Sequence, residues 1–359
     1  MEIFTANELL TVAKRLNNSK RSYLLVNPLQ GKHLPTNPTL ALEMMSFLGK
    51  KVVQSFNSAR LVIGFAETAT AIGAVVAKNI SNDCFYLQTT RENISGNFIE
   101  FLEEHSHAPQ QKLFAENLFE LINATNEVIF VDDELSTGKT LLNIVKRLKN
   151  EFPALKTKKI CAASVINRLL DENLANLAAE NIFCVYLVRL NQNFDADKFQ
   201  VEESQSVTPA QINFPIIEVN FPLNTRYGVK IGDYFAQCHD LGDFIRNELQ
   251  ISGKTLILGT EEFMLPAIIA AQNFSALTHS TTRSPIGICQ NADYPINSGF
   301  KLRSFYDSMR TTFIYNLKHY DSAIIITDSE NFSAGLQDLT AALKINGVKN
   351  IFCVRCRNV

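Results

Sequence analysis

The segment Val128-Ile129-Phe130-Val131-Asp132-Asp133-Glu134-Leu135-Ser136-Thr137-Gly138-Lys139-Thr140 constrains this chain more than any other. An apolar run ends in two acids, a short turn follows, and Leu141, Leu142, Ile144, Val145 and Leu148 then recur at helical spacing. That order predicts a strand, a turn and a helix N-terminus. Backbone amides of Ser136, Thr137, Gly138, Lys139 and Thr140 can hold a phosphate against the positive end of the helix. The carboxylates of Asp132 and Asp133 can accept hydrogen bonds from two vicinal hydroxyls. A ligand that carries a phosphate close to a diol is a ribose 5-phosphate.

Two other readings compete. Thr137-Gly138-Lys139-Thr140 matches the end of the nucleoside-triphosphate loop G-x-x-x-x-G-K-[ST]. That pattern needs glycine five positions before Gly138, where this chain has Asp133. A carboxylate there would face the triphosphate, so this reading is disfavoured. An ordinary strand–helix junction with two exposed acids is the plainer alternative, and it leaves the other segments described below unexplained.

A chain of 359 residues is long for one core and predicts two domains, 1–195 and 219–359, joined by a linker at 196–218. Apolar residues at 46 % against 19 % charged argue for packed globular domains. A net charge of −2 gives no general attraction to nucleic acid or membrane. No apolar run approaches the roughly 18 residues a bilayer span needs. The seven cysteines are odd in number and scattered through apolar stretches, which suits reduced thiols in a cytoplasm. Cys353-Val354-Arg355-Cys356 is a lone C-x-x-C and reads as strand. At the start, Ile3, Phe4, Leu9, Leu10, Ala13 and Leu16 predict an amphipathic helix without the features of a signal peptide.

Apolar runs alternate with helical patterns. Strands are predicted at 61–65, 84–88, 128–131, 159–165 and 182–188, with helices at 69–78, 113–122 and 140–150. This alternation implies a parallel sheet covered on both faces, with ligands at the strands' carboxyl ends. The pattern dissolves over 191–215 and resumes with strands at 255–258, 276–279, 323–327 and 350–354. Three stations also recur in the same order. Gly64-Phe65-Ala66-Glu67 returns as Gly259-Thr260-Glu261-Glu262, and Thr89-Thr90-Arg91 as Thr281-Thr282-Arg283. Val131-Asp132-Asp133-Glu134 with Gly138 returns as Thr327-Asp328-Ser329-Glu330 with Gly335. The second half therefore reads as an α/β domain and a degenerate copy of the first, with serine at the second acid and no Thr-Gly-Lys-Thr.

The 128–140 segment resembles the PRPP-binding signature of type I phosphoribosyltransferases. The resemblance implies a type I phosphoribosyltransferase-like parallel sheet. It gives the other stations expected roles. Glu67, Thr68, Ala69 and Thr70 open a helix, where backbone amides and hydroxyls suit a departing pyrophosphate. Glu67 suits Mg²⁺, a basic group or plain helix N-terminal capping. Arg91 can neutralise phosphate by a bidentate contact. In the resembled fold a mobile catalytic loop precedes the acid pair, and Glu104, His105 and His107 fall there. Lys32 and His33, in a loop rich in breakers, are candidates for substrate contact or a simple turn. Glu261, Glu262, Thr282, Arg283 and Ser284 are candidates for a pocket or domain interface in the second half.

Taken together, Gly31-Lys32-His33, Gly64 to Thr70, Thr89-Thr90-Arg91-Glu92, Glu104-His105-Ser106-His107-Ala108 and Val131-Asp132-Asp133-Glu134 resemble one bacterial family. Downstream, Gly259-Thr260-Glu261-Glu262-Phe263, Thr282-Arg283-Ser284-Pro285 and Tyr315-Asn316 complete the likeness. The family joins a phosphoribosyltransferase domain to a TRSP domain and is associated with tellurium-resistance gene clusters. It implies a cytoplasmic, Mg²⁺-dependent transferase acting on PRPP and a small nitrogenous acceptor. Purine enzymes acting on hypoxanthine or guanine resemble Asp-x-x-Asp-Thr-Gly at this loop. Here Ser136 takes the second aspartate's place and cannot accept a proton at neutral pH, so those bases are disfavoured. A PRPP or nucleotide sensor without turnover, and a hydrolase or lyase of a phosphoribosylated metabolite, remain alternatives. A homodimer is one open assembly, although two fused halves would mimic one.

Overall fold

The computed structural model describes residues 4–18, 21–102 and 110–357. Two compact units are built from interleaved segments. The first contains Leu42–Asn193 and Leu223–Ala236; the second contains Thr5–Ala41, Phe194–Pro222 and Gln237–Val359. The spatial division thus differs from the linear boundaries at 195 and 219, and the segment with Lys32 and His33 belongs to the second unit.

In chain order the first unit has strands β1 (Leu61–Gly64) and β2 (Phe85–Gln88), then an antiparallel hairpin of β3 (Phe98–Leu102) and β4 (Gln110–Phe114). There follow β5 (Glu127–Leu135), β6 (Lys159–Asn167) and β7 (Ile182–Arg189). The sheet is parallel in the order β2-β1-β5-β6-β7, and a two-residue strand, Val229–Lys230, lies antiparallel along the β2 edge. Leu61, Val62, Ile63 and the run from Val128 to Val131 are buried, as strands covered on both faces require. Helix α1 (Thr70–Ile80) is buried from Thr70 to Ala77, and its small residues let it approach the sheet. A Cβ on Gly73 would stand 3.0 Å from the Gly64 Cα. Helix α2 (Lys139–Glu151) buries Leu141, Ile144, Val145 and Leu148, one apolar stripe, in a core shared with Val128, Phe130, Ile160 and Ala162.

Two sequence expectations need correction. The helix at 113–122 is instead the end of β4 followed by a short helix, Leu118–Asn123. Leu113 and Phe114 are buried against the hairpin, with the Phe98 and Phe114 rings 5.5 Å apart, so cross-strand packing overrides the helical spacing. The N-terminal amphipathic helix is confined to Ala6–Leu9. Thr11–Lys14 is a strand paired antiparallel with Tyr23–Val26, which buries Ala13 beside Leu24 and Val26.

The second unit contains β8 (Ile216–Asn220), β9 (Thr255–Gly259) and β10 (Leu277–Ser280), a hairpin of β11 (Gly299–Arg303) and β12 (Thr311–Tyr315), then β13 (Ser322–Thr327) and β14 (Asn350–Arg357). Its parallel sheet runs β10-β9-β13-β14-β8. Helix α3 (Leu265–Gln272) follows β9, and α4 (Ser333–Ile345) follows β13. The sheet order of the first unit therefore recurs, with a hairpin between the second and third strands in both. The fifth strand comes after the other four in the first unit, as β7, and before them in the second, as β8.

Hydrogen bonds repeat with the topology. Ala66 N–H donates to Thr89 Oγ1 at 2.8 Å, and Glu261 N–H to Thr281 Oγ1 at 3.0 Å. Thr90 exchanges backbone bonds with Lys112, and Thr282 with Phe313. The first two stations match as read from the sequence. The third is one residue out of step. Leu61 pairs with Val128, and Leu256 with Ala323, so Asp133 corresponds to Asp328 and Asp132 to Thr327. The second unit thus lacks the first acid, not the second.

All seven cysteines are free, and Cys353 and Cys356 are buried β14 residues, as the lone C-x-x-C predicts. Burial pushes the thiols of Cys84 and Cys353 up to about 12, far from reactive thiolates. Among the described residues no helix is long and apolar enough to cross a membrane.

Candidate active site

Gly64, at the end of β1, pairs with Gln88 on one side and Val131 on the other. The loops beginning at Phe65 and Thr89 and the 132–135 end of β5 therefore lie side by side at one end of the sheet. Three stations separated in sequence are brought together there, at the carboxyl ends where open parallel sheets bind ligands.

The 65–69 loop is tied to its neighbours by its own backbone. Phe65 N–H donates to the Val131 carbonyl at 2.9 Å, and Ala69 N–H to the Phe65 carbonyl at 3.0 Å. The Thr89 hydroxyl receives Ala66 N–H and donates to Gln111 Oε1 at 2.5 Å. The Ala66–Glu67 peptide is cis. The Thr70 hydroxyl donates to the Glu67 carbonyl at 3.3 Å, and Tyr86 OH to the Thr70 carbonyl at 2.6 Å. Glu67, Ala69 and Thr70 are buried, whereas Thr68 and Arg91 are half-buried. Gly64 makes this packing feasible, since a Cβ there would lie 2.5 Å from the Tyr86 hydroxyl.

Strand β5 runs nine residues and carries Asp132, Asp133 and Glu134, all half-buried, beyond its pairing with β1. Asp133 N–H donates to Asp132 Oδ1 at 2.9 Å. Glu134 accepts from Arg168 Nη1 at 3.3 Å, both side chains being about a tenth exposed. The turn ends at Gly138, which has φ +70° and stands at the N-cap of α2. Gly138 at the N-cap has no side chain with which to cap the helix, and the first turn holds no acid. Lys139 N–H reaches Thr137 Oγ1 at 3.4 Å. Such a terminus presents backbone donors and the positive end of the helix dipole to an anion. Ser136, Thr137 and Thr140 line it half-buried, with Lys139 exposed.

Glu104, His105 and His107 lie outside the described residues. Lys32, His33, Glu261, Glu262, Thr282, Arg283 and Ser284 all fall in the second unit. There the wholly buried Lys32 donates from Nζ to the Glu261 carbonyl at 2.5 Å. The buried Glu261 carboxylate accepts from Arg283 Nε at 3.0 Å, Ser304 Oγ at 2.6 Å and Phe305 N–H at 3.2 Å. Glu262 lies 3.8 Å from Arg283, and Thr282 Oγ1 accepts Ser284 N–H at 3.2 Å. Sequence reasoning overlooked Tyr86, Gln111 and the Glu134–Arg168 pair. Tyr86 carries the lone polar side-chain atom in the apolar run 85–87, whereas Gln111 lies between Gln110 and Lys112 and carries no such signal.

Among the described residues no cluster of three or more His, Cys, Asp or Glu forms a metal cage. Two adjacent carboxylates at a strand end fit a different mode, in which Mg²⁺ binds through one or two carboxylates together with phosphate oxygens.

A family model described as "Phosphoribosyl transferase" matches residues 9–192, and one described as a TRSP domain C-terminal to it matches residues 224–343. The chain belongs to this phosphoribosyltransferase family. Its first unit is thus the type I phosphoribosyltransferase-like parallel sheet expected from the sequence, and its second is also α/β. Similar solved structures include adenine phosphoribosyltransferase from Trypanosoma brucei in complex with AMP, pyrophosphate and ribose-5-phosphate, at 14 % identity over 50 % of this chain and 76 % of that one, TM-score 0.36. The enzyme from Leishmania tarentolae gives 12 % identity over 51 % and 84 %, TM-score 0.37. Orotate phosphoribosyltransferase from Aeropyrum pernix gives 16 % over 50 % and 88 %, TM-score 0.32. Among curated proteins none matches the chain.

Proposed function

We propose that this member of the phosphoribosyltransferase family transfers the phosphoribosyl group of PRPP to a small nitrogenous acceptor and releases pyrophosphate. One observation carries the reading: an acid pair, a glycine-capped helix start and the β1–α1 loop lie at one end of adjacent parallel strands. In this reading Asp132 and Asp133 accept the ribose hydroxyls and stabilise positive charge at the reacting carbon. Ser136, Thr137, Gly138, Lys139 and Thr140 hold the 5-phosphate. Glu67, Thr68, Ala69 and Thr70 bring the amide end of α1 to the pyrophosphate, whose charge grows as it leaves, and Arg91 neutralises part of it.

The protein's contribution is positional and electrostatic. The acceptor nitrogen attacks a carbon whose leaving group is already held, so no covalent enzyme intermediate is needed. Mg²⁺, held through Asp132 and Asp133 with the ligand's own oxygens, would supply charge neutralisation. The test is calorimetry with PRPP and Mg²⁺ on the wild type and on Asp132→Asn/Asp133→Asn. Binding by the wild type that disappears in the variant supports the site; equal binding by both discards it.

A further inference from the structure

The second unit repeats the sheet of the first, yet its strand-end basin is filled by its own chain. The residues responsible lie in the turn 304–310, between β11 and β12. Tyr306 OH donates to Asp328 Oδ1, and lies 3.3 Å from both the Thr260 carbonyl and Thr260 Oγ1. Asp328 is the counterpart of Asp133, so a phenolic hydroxyl occupies the carboxylate that in the first unit is assigned to a sugar hydroxyl. Thr327, at the place of Asp132, is wholly buried and accepts from the Thr260 hydroxyl at 3.0 Å.

The phosphate end is closed as well. Helix α4 begins after Phe332, with φ −66°, where α2 begins after Gly138 with φ +70°. Phe305 is wholly buried, and a Cβ on Gly335 in the first turn of α4 would lie 2.5 Å from its ring. An apolar ring against that turn leaves no space for an anion. The Ser329 hydroxyl donates to the Phe305 carbonyl at 2.6 Å, and Glu261 holds Ser304 and Phe305 from the other side. The loop after β9 has changed to match. Phe263 and Leu265 stand at the positions of Thr68 and Thr70, and Pro266 removes an amide donor from the start of α3.

We propose that the 304–310 turn is the resident occupant of this second basin. Tyr306 takes the place of a ribose hydroxyl and Phe305 that of a 5-phosphate. The chain then binds one sugar phosphate, in the first unit, and the second unit is a copy permanently closed on itself.

Two measurements on the full chain test this, and only the second rests on the function proposed above. The first is hydrogen exchange followed by mass spectrometry on Ser304→Ala/Tyr306→Phe. Loss of the ties should speed exchange across 304–310 on the order of tenfold or more, with β9 and β13 unchanged. Unchanged exchange in the turn overturns the closure. The second is equilibrium dialysis with labelled PRPP and Mg²⁺. One equivalent per wild-type chain, and none in Asp132→Asn/Asp133→Asn, is expected. Two equivalents, or binding in that variant that is abolished by adding Asp328→Asn, overturns the proposal. Should the wild type bind no PRPP, the functional reading of the first unit fails, while exchange still decides the closure. The dialysis stoichiometry of the wild type and of Asp132→Asn/Asp133→Asn needs no altered second unit, so it remains decisive if the Ser304→Ala/Tyr306→Phe protein does not fold.

Discussion

The Thr89 hydroxyl accepts the Ala66 N–H at 2.8 Å, and Thr281 does the same for Glu261 at 3.0 Å. In each unit the threonine directly after the second strand fixes the start of the loop after the first. Thr89 is wholly buried, so Thr89→Val keeps the shape and leaves the Ala66 N–H without its acceptor. That loss should cost about 1–3 kcal/mol in urea unfolding, whereas Thr89→Ser should recover most of it. A valine variant as stable as the wild type would show that this bond does not set the loop.

Gly64 and Tyr86 are coupled through space. A Cβ on Gly64 would lie 2.5 Å from the Tyr86 hydroxyl and 3.1 Å from the Ala69 carbonyl, and Tyr86 also spends its proton on the Thr70 carbonyl. Gly64→Ala should destabilise the first unit by about 2 kcal/mol through overpacking. Tyr86→Phe removes the nearest clashing atom at the expense of one hydrogen bond. Gly64→Ala/Tyr86→Phe should therefore be more stable than the sum of its single changes implies, by about 1 kcal/mol in a double-mutant cycle. Strict additivity would mean that the loop, and not the tyrosine, yields to the new methyl group.

His279 predicts a pH dependence. Burial pushes its pKa down to about 4, against the carbonyls of Tyr315 and Gly31, which favour the charged form. Nε2 lies 2.8 Å from the Tyr315 oxygen, and the ring is neutral in the folded protein at neutral pH. Above about pH 6.5 the folded and unfolded forms both leave it uncharged, and stability is unaffected. As pH falls from 6.5 towards 4 the unfolded chain takes up the proton first. Stability should drop through this window, by about 3 kcal/mol in all, and level off below it. His279→Gln keeps a donor for Tyr315 and removes the titration. Chemical unfolding between pH 7 and 4 should show the wild type losing more than the variant; parallel curves would mean the imidazole titrates normally when folded.

The strands were legible because buried parallel strands read as continuous apolar runs, as from Val128 to Val131. The site was legible where polar groups interrupt those runs at strand ends, as at Asp132 and Gly138. Register was not. Sliding the repeat by one position keeps an apolar run beside a polar residue, so the text alone aligns Asp132 with Asp328. Ladder pairing of Leu61 with Val128 and of Leu256 with Ala323 decides for Asp133 instead. Leu113 and Phe114 failed differently, since their spacing suits a helix and only the Phe98 ring across the hairpin makes them strand. Tyr306 gave no signal at all, because its role depends on a turn folding back over a sheet edge.

Gly138 joins the fold to the proposed phosphate site through a left-handed backbone conformation. At φ +70° an L side chain is strained, and a Cβ would also stand 3.1 Å from Leu169 and 3.3 Å from Leu177. Gly138→Ala should cost about 1–2 kcal/mol. Gly138→Asn should be milder on the backbone, since asparagine enters the left-handed region more readily, and Gly138→Val worse because of its branched Cβ. If the amides after Gly138 hold the 5-phosphate, affinity for ribose 5-phosphate should fall in the same order as the backbone is pulled out of place: glycine, asparagine, alanine, valine. Calorimetry on folded variants checks the order. A valine variant that folds and binds as tightly as the wild type would remove the α2 N-terminus from the site, whatever the acid pair does.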